Sequence, residues 1–232
     1  MVKPINKNIK DWSLILNPII QEYGGKKIEL DYCTPFQLLI AVILSAQTTD
    51  KKVNKITPPF FQIVRNANDV IDIPIDIIME YLKYVNFFRN KSRYIKETGI
   101  ILANQYNWVI PDDLNLIQTF PGIGIKTAKV ILAVLYDRPY VGVDTHIHRV
   151  MNRIGIVDTK TPEATDKQIE ELFDINMKKR LHHPLVLFWR YHCMARNPKC
   201  ENCNIAKYCK YYKNTFKKLW IKNTSKIEIL KK

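Results

Sequence analysis

Four crowded cysteines place the strongest constraint on what this chain can fold into. The sequence has five cysteines in 232 residues, and four of them follow the spacing C-x6-C-x2-C-x5-C. They are Cys193, Cys200, Cys203 and Cys209. In a reducing compartment, such a density indicates a metal site rather than disulfides. One CxxC pair between two single cysteines on short loops suits a cubane 4Fe-4S cluster, with tetrahedral zinc as the alternative.

The remaining composition favours a globular, all-α protein. Hydrophobic residues make up 47% and charged residues 25%, and there are only seven glycines. An all-β chain would need a turn about every 8 to 12 residues. Helices are expected at 12–23, 35–47, 51–66, 73–82, 88–105, 113–119, 126–137, 144–154, 161–172 and 184–193. The fifth cysteine, Cys33, is expected to be a small buried residue.

The charge balance favours a polyanionic partner. Lysine and arginine outnumber aspartate and glutamate 36 to 22, for a net charge of +14. Nucleic acid is the partner that this excess suggests, although a lysine-rich composition alone gives a similar total. Residues 210–232 carry eight lysines and one glutamate, and form either a basic arm that strengthens phosphate contacts or a solvated end.

No segment of the sequence is expected to cross a membrane. The longest unbroken apolar runs, 38–44 and 130–136, are seven residues each, against about 18 needed to span a bilayer. The opening residues MVKPINKNIKDW carry charge where a secretory signal needs an apolar stretch. A cytoplasmic location is therefore expected.

A glycine-rich turn divides the segment 116–137 into two predicted helices. In FPGIGIKTAKV, Gly122 and Gly124 allow a sharp bend and a close approach of the main chain to another molecule. The unpaired N–H groups that begin the second helix could bind a DNA phosphate without reading sequence. A simple corner between helices would use the same residues.

Two side chains after this turn are candidates for catalysis. Lys126 lies in the first turn of the second helix, whose partial positive charge disfavours the ammonium and so favours a nucleophilic amine. A phosphate-contacting surface lysine is the alternative. Asp144, in VDTHIHRV, is a good helix N-cap, and its carboxylate could also stabilise oxocarbenium character on a sugar. Arg149 and Arg153 could touch phosphate.

Three motifs in this order resemble the endonuclease III family of helix-hairpin-helix DNA glycosylases. They are FPGIGIKTAKV, VDTHIHRV and the C-x6-C-x2-C-x5-C loop, and LLIAVILSAQTTD resembles a signature helix of the same family. The resemblance implies two all-α domains that flank a DNA-binding cleft. It places a six-helix domain with the hairpin at 28–138, and a cluster domain at 1–27 with 139–209, before a tail at 210–232.

The resemblance also implies an activity. It is that of a base-excision repair DNA glycosylase and apurinic/apyrimidinic lyase, which removes oxidised or ring-saturated pyrimidines and cleaves 3′ to the abasic site by β-elimination. The implied partner is double-stranded DNA with damaged pyrimidines or abasic sites, bound by a monomer associated with the nucleoid. The implied cofactor is a 4Fe-4S cluster.

Individual residues match the family's functional positions. Lys126 matches the nucleophile, and Asp144 matches the essential aspartate. Gln47 matches a glutamine that enters the duplex, and Phe87 lies where the family commonly has a leucine wedge. The family's usual glycine before that wedge is Asn86 here, and its usual basic residue before the catalytic lysine is Ile125.

Rival functions differ at positions that can be read from the sequence. Adenine mismatch glycosylases of this superfamily use a glutamate in the helix that here reads IAVILSAQTT, which has no acid. Thymine–guanine mismatch glycosylases replace the lysine found at Lys126. A DNA-binding module without catalysis would keep the hairpin and the cluster, but it would need neither Lys126 nor Asp144.

Overall fold

The computed structural model describes residues 11–215, and this range is all-helical, as predicted. Eleven helices have both ends in the range. They are α1 (Ser13–Tyr23), α2 (Pro35–Ser45), α3 (Asp50–Ile63), α4 (Ala67–Asp72), α5 (Ile75–Leu82), α6 (Phe88–Gln105), α7 (Leu114–Gln118), α8 (Ile125–Tyr136), α9 (Thr145–Ile154), α10 (Pro162–Leu172) and α11 (Ile175–Tyr191). A further helical segment begins at residue 210 and includes residue 215. No helix between residues 11 and 215 has the length and hydrophobicity needed to span a bilayer.

The described chain divides into two compact units. One is Lys27–Gly142, which contains α2 to α8. The other combines residues 11–26 with residues 143–215 and contains α1 and α9 to α11. The predicted basic tail falls largely in residues 216–232, outside the described residues.

Helix α2 forms the centre of the first unit. Every residue from Phe36 to Leu44 is buried and all except Gln37 are apolar, as expected for a helix enclosed by others. It contacts α3, α6 and α8. Thr34 caps its start by accepting a hydrogen bond from the Gln37 amide at 3.2 Å, and Pro35 fits the first helical position.

The second unit is built from both parts of the chain that flank the first. Helix α1 packs against α11, with Ile15, Leu16 and Ile19 of α1 buried. The ring of Tyr23 meets that of Phe188 edge to face, with 6.2 Å between centroids. The apolar face of α1 is thus covered by α11, although the two helices are far apart in the sequence.

One predicted helix start was wrong, and one helix was not predicted. The helix predicted to begin at Pro184 begins at Ile175, because Asp174 caps it by accepting a hydrogen bond from the Met177 amide at 2.7 Å. Pro184 lies inside this helix. Helix α4 was not predicted, although Asn66 and Asp69 form a capping box at its start.

Candidate functional site

The glycine-rich segment forms two helices joined by a tight turn. Helix α7 leads into the turn and α8 leaves it, and the two helices are in contact. Phe120 and Ile123 are buried and anchor the turn in the core of the first unit. Gly122 has a φ of +75°, and a Cβ atom there would lie 2.4 Å from Cδ2 of Tyr94. Both the backbone conformation and the aromatic neighbour therefore require glycine at this position.

The first turn of α8 presents uncapped main-chain donors. Gly124 is the N-cap residue and makes no side-chain hydrogen bond, and a Cβ atom there would have nothing within 4 Å. The leading N–H groups of a helix have no partner within the helix, and they attract anions. Ile125 and Lys126 are exposed in this turn. The arrangement can bind a phosphate and presents the lysine beside it.

A second lysine of α8 is buried, which the sequence did not predict. Lys129 is 4% exposed, and its Nζ lies 5.9 Å from the centroid of the Tyr140 ring. It lies three residues after Lys126, so the helix carries one exposed and one enclosed ammonium group. No sequence signal distinguishes them, because the aromatic neighbour is outside the helix.

Asp144 belongs to the second unit and is the N-cap of α9. Its Oδ1 atom accepts hydrogen bonds from the amides of His146 and Ile147, each at 2.9 Å. The predicted capping role is therefore confirmed. These two bonds fix the orientation of the carboxylate at the start of the helix.

Two arginines of α9 bind main-chain oxygens of the cysteine loop. Arg149 donates to the main-chain oxygen of Cys193 at 3.1 Å. Arg153 donates to the main-chain oxygens of Met194 and Ala195, at 2.7 and 3.0 Å. Their guanidinium groups thus satisfy carbonyls of the loop, and the suggestion that these arginines also touch phosphate stays a prediction.

The four clustered cysteines line a single cavity. Its other walls include the apolar side chains of Ile154, Phe188, Ile205 and Ala206. No three Cys, His, Asp or Glu side chains of residues 11–215 are gathered closely enough to hold a single metal ion. A set of four sulfur donors in an apolar pocket fits the chemistry of an iron–sulfur cluster.

Three of the cysteines that line this cavity have a raised pKa. Burial raises the pKa of the Cys203 thiol to about 11, and it also raises the pKa of Cys200 and Cys209. Neighbouring cysteines add to the effect, since thiolates repel one another. Bound iron would offset that repulsion, because metal ligation requires the thiolate form. Cys33 is exposed, so its predicted burial was wrong.

Gln47 and Phe87 occupy two short connections of the first unit. Gln47 follows the end of α2 with a φ of 57°, and Phe87 precedes α6 with a φ of 58°. Both are exposed, Phe87 to 62%. The Asn86 side chain donates from Nδ2 to the main-chain oxygen of Gln47 at 2.6 Å, which joins the two connections.

A buried lysine contacts the connection that carries Gln47, and it was not identified from the sequence. Lys91 of α6 is 5% exposed. Its Nζ donates to the main-chain oxygens of Leu44 and Ala46, at 2.8 and 2.6 Å, and to Thr48 Oγ1 at 3.4 Å. Burial lowers the pKa of Lys91 to about 8, and the charge of Lys52 lowers it further. The ammonium group thus caps the carboxyl end of α2 by donating hydrogen bonds to its main-chain oxygens.

Comparison with known proteins defines the class to which this fold and site belong. Residues 40–174 match the family described as the HhH-GPD superfamily base excision DNA repair protein. Residues 193–209 match the iron–sulfur binding domain of endonuclease III. The protein is thus a helix-hairpin-helix base-excision repair protein with an iron–sulfur domain.

Individual relatives identify the family within this class. The chain is 38% identical to endonuclease III of Rickettsia conorii over 204 residues, which cover 86% of this chain and 97% of the relative. It is 36% identical to endonuclease III of Escherichia coli K12 over 183 residues, or 79% and 87% of the two chains. The chain belongs to the endonuclease III family.

Solved structures agree with this assignment. A trapped covalent endonuclease III–DNA intermediate matches with a TM-score of 0.81 and 32% identity, over 87% of this chain and 95% of that one. A thermostable thymine-DNA glycosylase matches with a TM-score of 0.78 at 24% identity, which shows a shared fold. The protein is a DNA glycosylase and lyase, it binds DNA, and its cofactor is a 4Fe-4S cluster.

Proposed function

We propose that this glycosylase, acting as a monomer, removes oxidised or ring-saturated pyrimidines from double-stranded DNA and cleaves 3′ to the abasic site by β-elimination. The supporting observation is the position of Lys126, exposed in the first turn of a helix whose leading N–H groups have no side-chain cap. A phosphate held by those N–H groups would bring the sugar backbone to the lysine. Gly122 and Gly124 allow the main chain to approach that closely.

In the proposed reaction, the neutral amine of Lys126 attacks C1′ of the damaged nucleotide. The bond from C1′ to the base breaks, its electron pair leaves with the base, and the base takes up a proton. The sugar ring then opens to give an iminium between Nζ and C1′. Loss of the C2′ proton allows the C3′–O bond to break, with its electrons leaving on the phosphate oxygen.

Asp144 is proposed to stabilise the cationic sugar. Breaking an N-glycosidic bond builds positive charge on C1′ and the ring oxygen, and a carboxylate held in place lowers the energy of that charge. The hydrogen bonds from the His146 and Ile147 amides hold this carboxylate in one orientation. A positioned anion needs no reorganisation during the reaction.

Gln47 and Phe87 are proposed to fill the space that the extruded nucleotide leaves. Both are exposed on short connections, as residues that enter a duplex must be. Extruding a nucleotide costs a few kcal/mol, and less when the base is damaged and stacks poorly. The enzyme would therefore select lesions partly by the ease with which they leave the helix.

The proposed chemistry predicts a complete loss of covalent trapping in Lys126→Gln. A borohydride-reducible imine requires the amine, so this variant should give no trapped adduct with an abasic duplex, while it still binds that duplex. Lys27→Gln removes another exposed lysine of the same unit and is the matched control. Persistent trapping in Lys126→Gln would refute the assignment. A panel of thymine glycol, thymine–guanine and adenine mismatch duplexes then tests the proposed substrate.

We assign the four clustered cysteines as the ligands of the cluster. When bound, the cluster would cross-link the loop and so supply a structural constraint. Cys200→Ala should lower the iron content and visible absorbance of the purified protein, whereas Cys33→Ala, at an exposed cysteine outside the cavity, should leave both unchanged. Equal iron in both variants would contradict the assignment.

A further inference from the structure

The connections that carry Gln47 and Phe87 share an energetically unfavourable backbone conformation. Both residues lie in the left-handed region, with φ values of 57° and 58°. This region is unfavourable for residues that have a side chain, and it persists only where surrounding contacts impose it. Gln47 lies in a turn that is closed locally by a hydrogen bond from the Thr48 amide to the Ser45 main-chain oxygen at 3.1 Å. Further contacts to this turn come from the segment at the start of α6.

The first contact is made by Asn86. Its Nδ2 atom donates to the Gln47 main-chain oxygen at 2.6 Å. The two residues are 39 positions apart in the sequence, so the bond joins separate segments.

The second contact is made by Lys91. Its ammonium group has three donors, and three oxygen atoms of residues 44–48 accept from it. The last carbonyls of an α-helix lack partners within the helix, and a cation at that end is favourable. Lys91 thus supplies the cap of α2, and it binds the main chain before Gln47 and the Thr48 side chain after it.

The two contacts come from one continuous piece of chain. Asn86 directly precedes Phe87, and the Lys91 amide donates to the Phe87 main-chain oxygen at 3.1 Å in the first turn of α6. The segment that carries Phe87 therefore also holds the turn that carries Gln47.

We propose that Asn86 and Lys91 are positioning residues that hold Gln47 and Phe87 in a fixed relation, so that the two side chains enter the DNA together. This inference rests on the proposed insertion of Gln47 and Phe87. Asn86 and Lys91 act through main-chain oxygens of residues 44–47 and the Thr48 hydroxyl, and neither is assigned a contact with the reacting sugar. Their contribution should therefore appear only when a stacked duplex has to be opened.

The central test compares two substrates in Asn86→Ala. The single-turnover rate of imine trapping is measured on a duplex with one abasic site, and on the same strand without its complement. The unpaired strand has no paired stack to open. The ratio of the duplex rate to the single-strand rate should fall about fivefold, the effect of losing one hydrogen bond. An equal loss on both substrates would indicate a general structural defect and overturn the proposal.

A second background tests whether Asn86 acts through the inserted side chains. In a protein that already carries Gln47→Ala and Phe87→Ala, the further change Asn86→Ala should leave the ratio unaltered. An undiminished fivefold loss in this background would mean that Asn86 acts by another route, and it would disprove the proposal.

Lys96 provides a matched control for Lys91. It also lies on α6, and its Nζ donates to the main-chain oxygens of Ile71 and Ile73 near the end of α4, the latter at 2.7 Å. At a temperature where both variants are folded, Lys91→Met should lower the rate ratio and Lys96→Met should not. A lowered ratio in both variants would refute the role of Lys91. If Lys91→Met does not fold, Lys91→Arg, which keeps the charge but changes the donor geometry, is measured for the same drop.

The outcomes separate this inference from the proposed function. If Gln47→Ala with Phe87→Ala leaves the ratio unchanged, the insertion role fails and the positioning role fails with it. If that pair lowers the ratio but Asn86→Ala does not, only the positioning role fails. The lysine chemistry is tested independently by Lys126→Gln.

Discussion

The glycine hairpin and the Gln47 turn both present exposed groups from the first unit, but they are held in different ways. The hairpin is shaped by its own residues, with Gly122 in a left-handed conformation between the buried Phe120 and Ile123. The Gln47 turn has the same backbone handedness without a glycine, and residues 39 to 47 positions away hold it. Local sequence can specify the first arrangement, whereas the second combines a local hydrogen bond from the Thr48 amide to the Ser45 oxygen with tertiary contacts.

The largest expected effect on the free energy of unfolding comes from a substitution in the hairpin. Gly122→Ala would place a Cβ atom 2.4 Å from the Tyr94 ring at a φ of +75°, and should lower the free energy of unfolding by about 3 kcal/mol. Gly124→Ala is the control, because a Cβ atom there meets nothing within 4 Å. It should cost less than about 1 kcal/mol, the range for an N-cap change. Equal costs in urea unfolding would mean that the turn is not shaped by Gly122.

The effect of intermediate size concerns how the contribution of Lys91 to the free energy of unfolding depends on pH. The pKa of Lys91 is about 8 in the folded protein, against an ordinary value of 10.5. Between these values the unfolded chain binds more protons than the folded one, so the Lys91 contribution to the free energy of unfolding rises with pH. It is at its lowest below pH 8, where the charged group is buried.

The variant Lys91→Met has no titrating group at this position. Comparison with the wild type therefore isolates the contribution of the Lys91 titration. The difference in unfolding free energy, wild type minus Lys91→Met, should increase by about 2 kcal/mol from pH 8 to pH 10, and it should stay constant from pH 6 to pH 7. Urea unfolding of both proteins across this range measures it. A difference that does not change with pH would show that Lys91 is not buried as a charged group.

The smallest effect tests the backbone conformation of the Gln47 turn. Glycine adopts a positive φ without steric cost, so Gln47→Gly should raise the free energy of unfolding by about 0.5 kcal/mol, after the added flexibility of the unfolded chain is subtracted. Gln62→Gly, in the last turn of α3, should lower it by about 1 kcal/mol. Destabilisation of the same size in both variants would argue against strain at Gln47.

The sequence predicted those parts of the molecule that depend on neighbouring residues. The start of α8 after the glycine turn and the N-cap at Asp144 are both local patterns, and both were predicted. The beginning of α11 was missed because Pro184 resembles a helix start, although it lies in the helix interior. The capping signal at Asp174 was present and was overlooked.

The contacts that could not be predicted join distant residues. Nothing near Lys91 in the sequence shows that its ammonium group lies at the end of α2, and nothing near Arg153 shows that it binds the cysteine loop. Both are long basic side chains on helices, a pattern that usually indicates an exposed face. Their burial depends on how the helices pack, which a single sequence does not specify.

The division of the chain also has a consequence for its synthesis on the ribosome. The unit that contains the hairpin is one uninterrupted stretch, Lys27–Gly142, and can fold as soon as it has emerged. Helix α1, made earlier, must wait for α11 before its apolar face is covered. The nascent protein would thus complete the unit that carries Lys126 first, and Cys209, which we propose as a ligand of the cluster, is translated only afterwards.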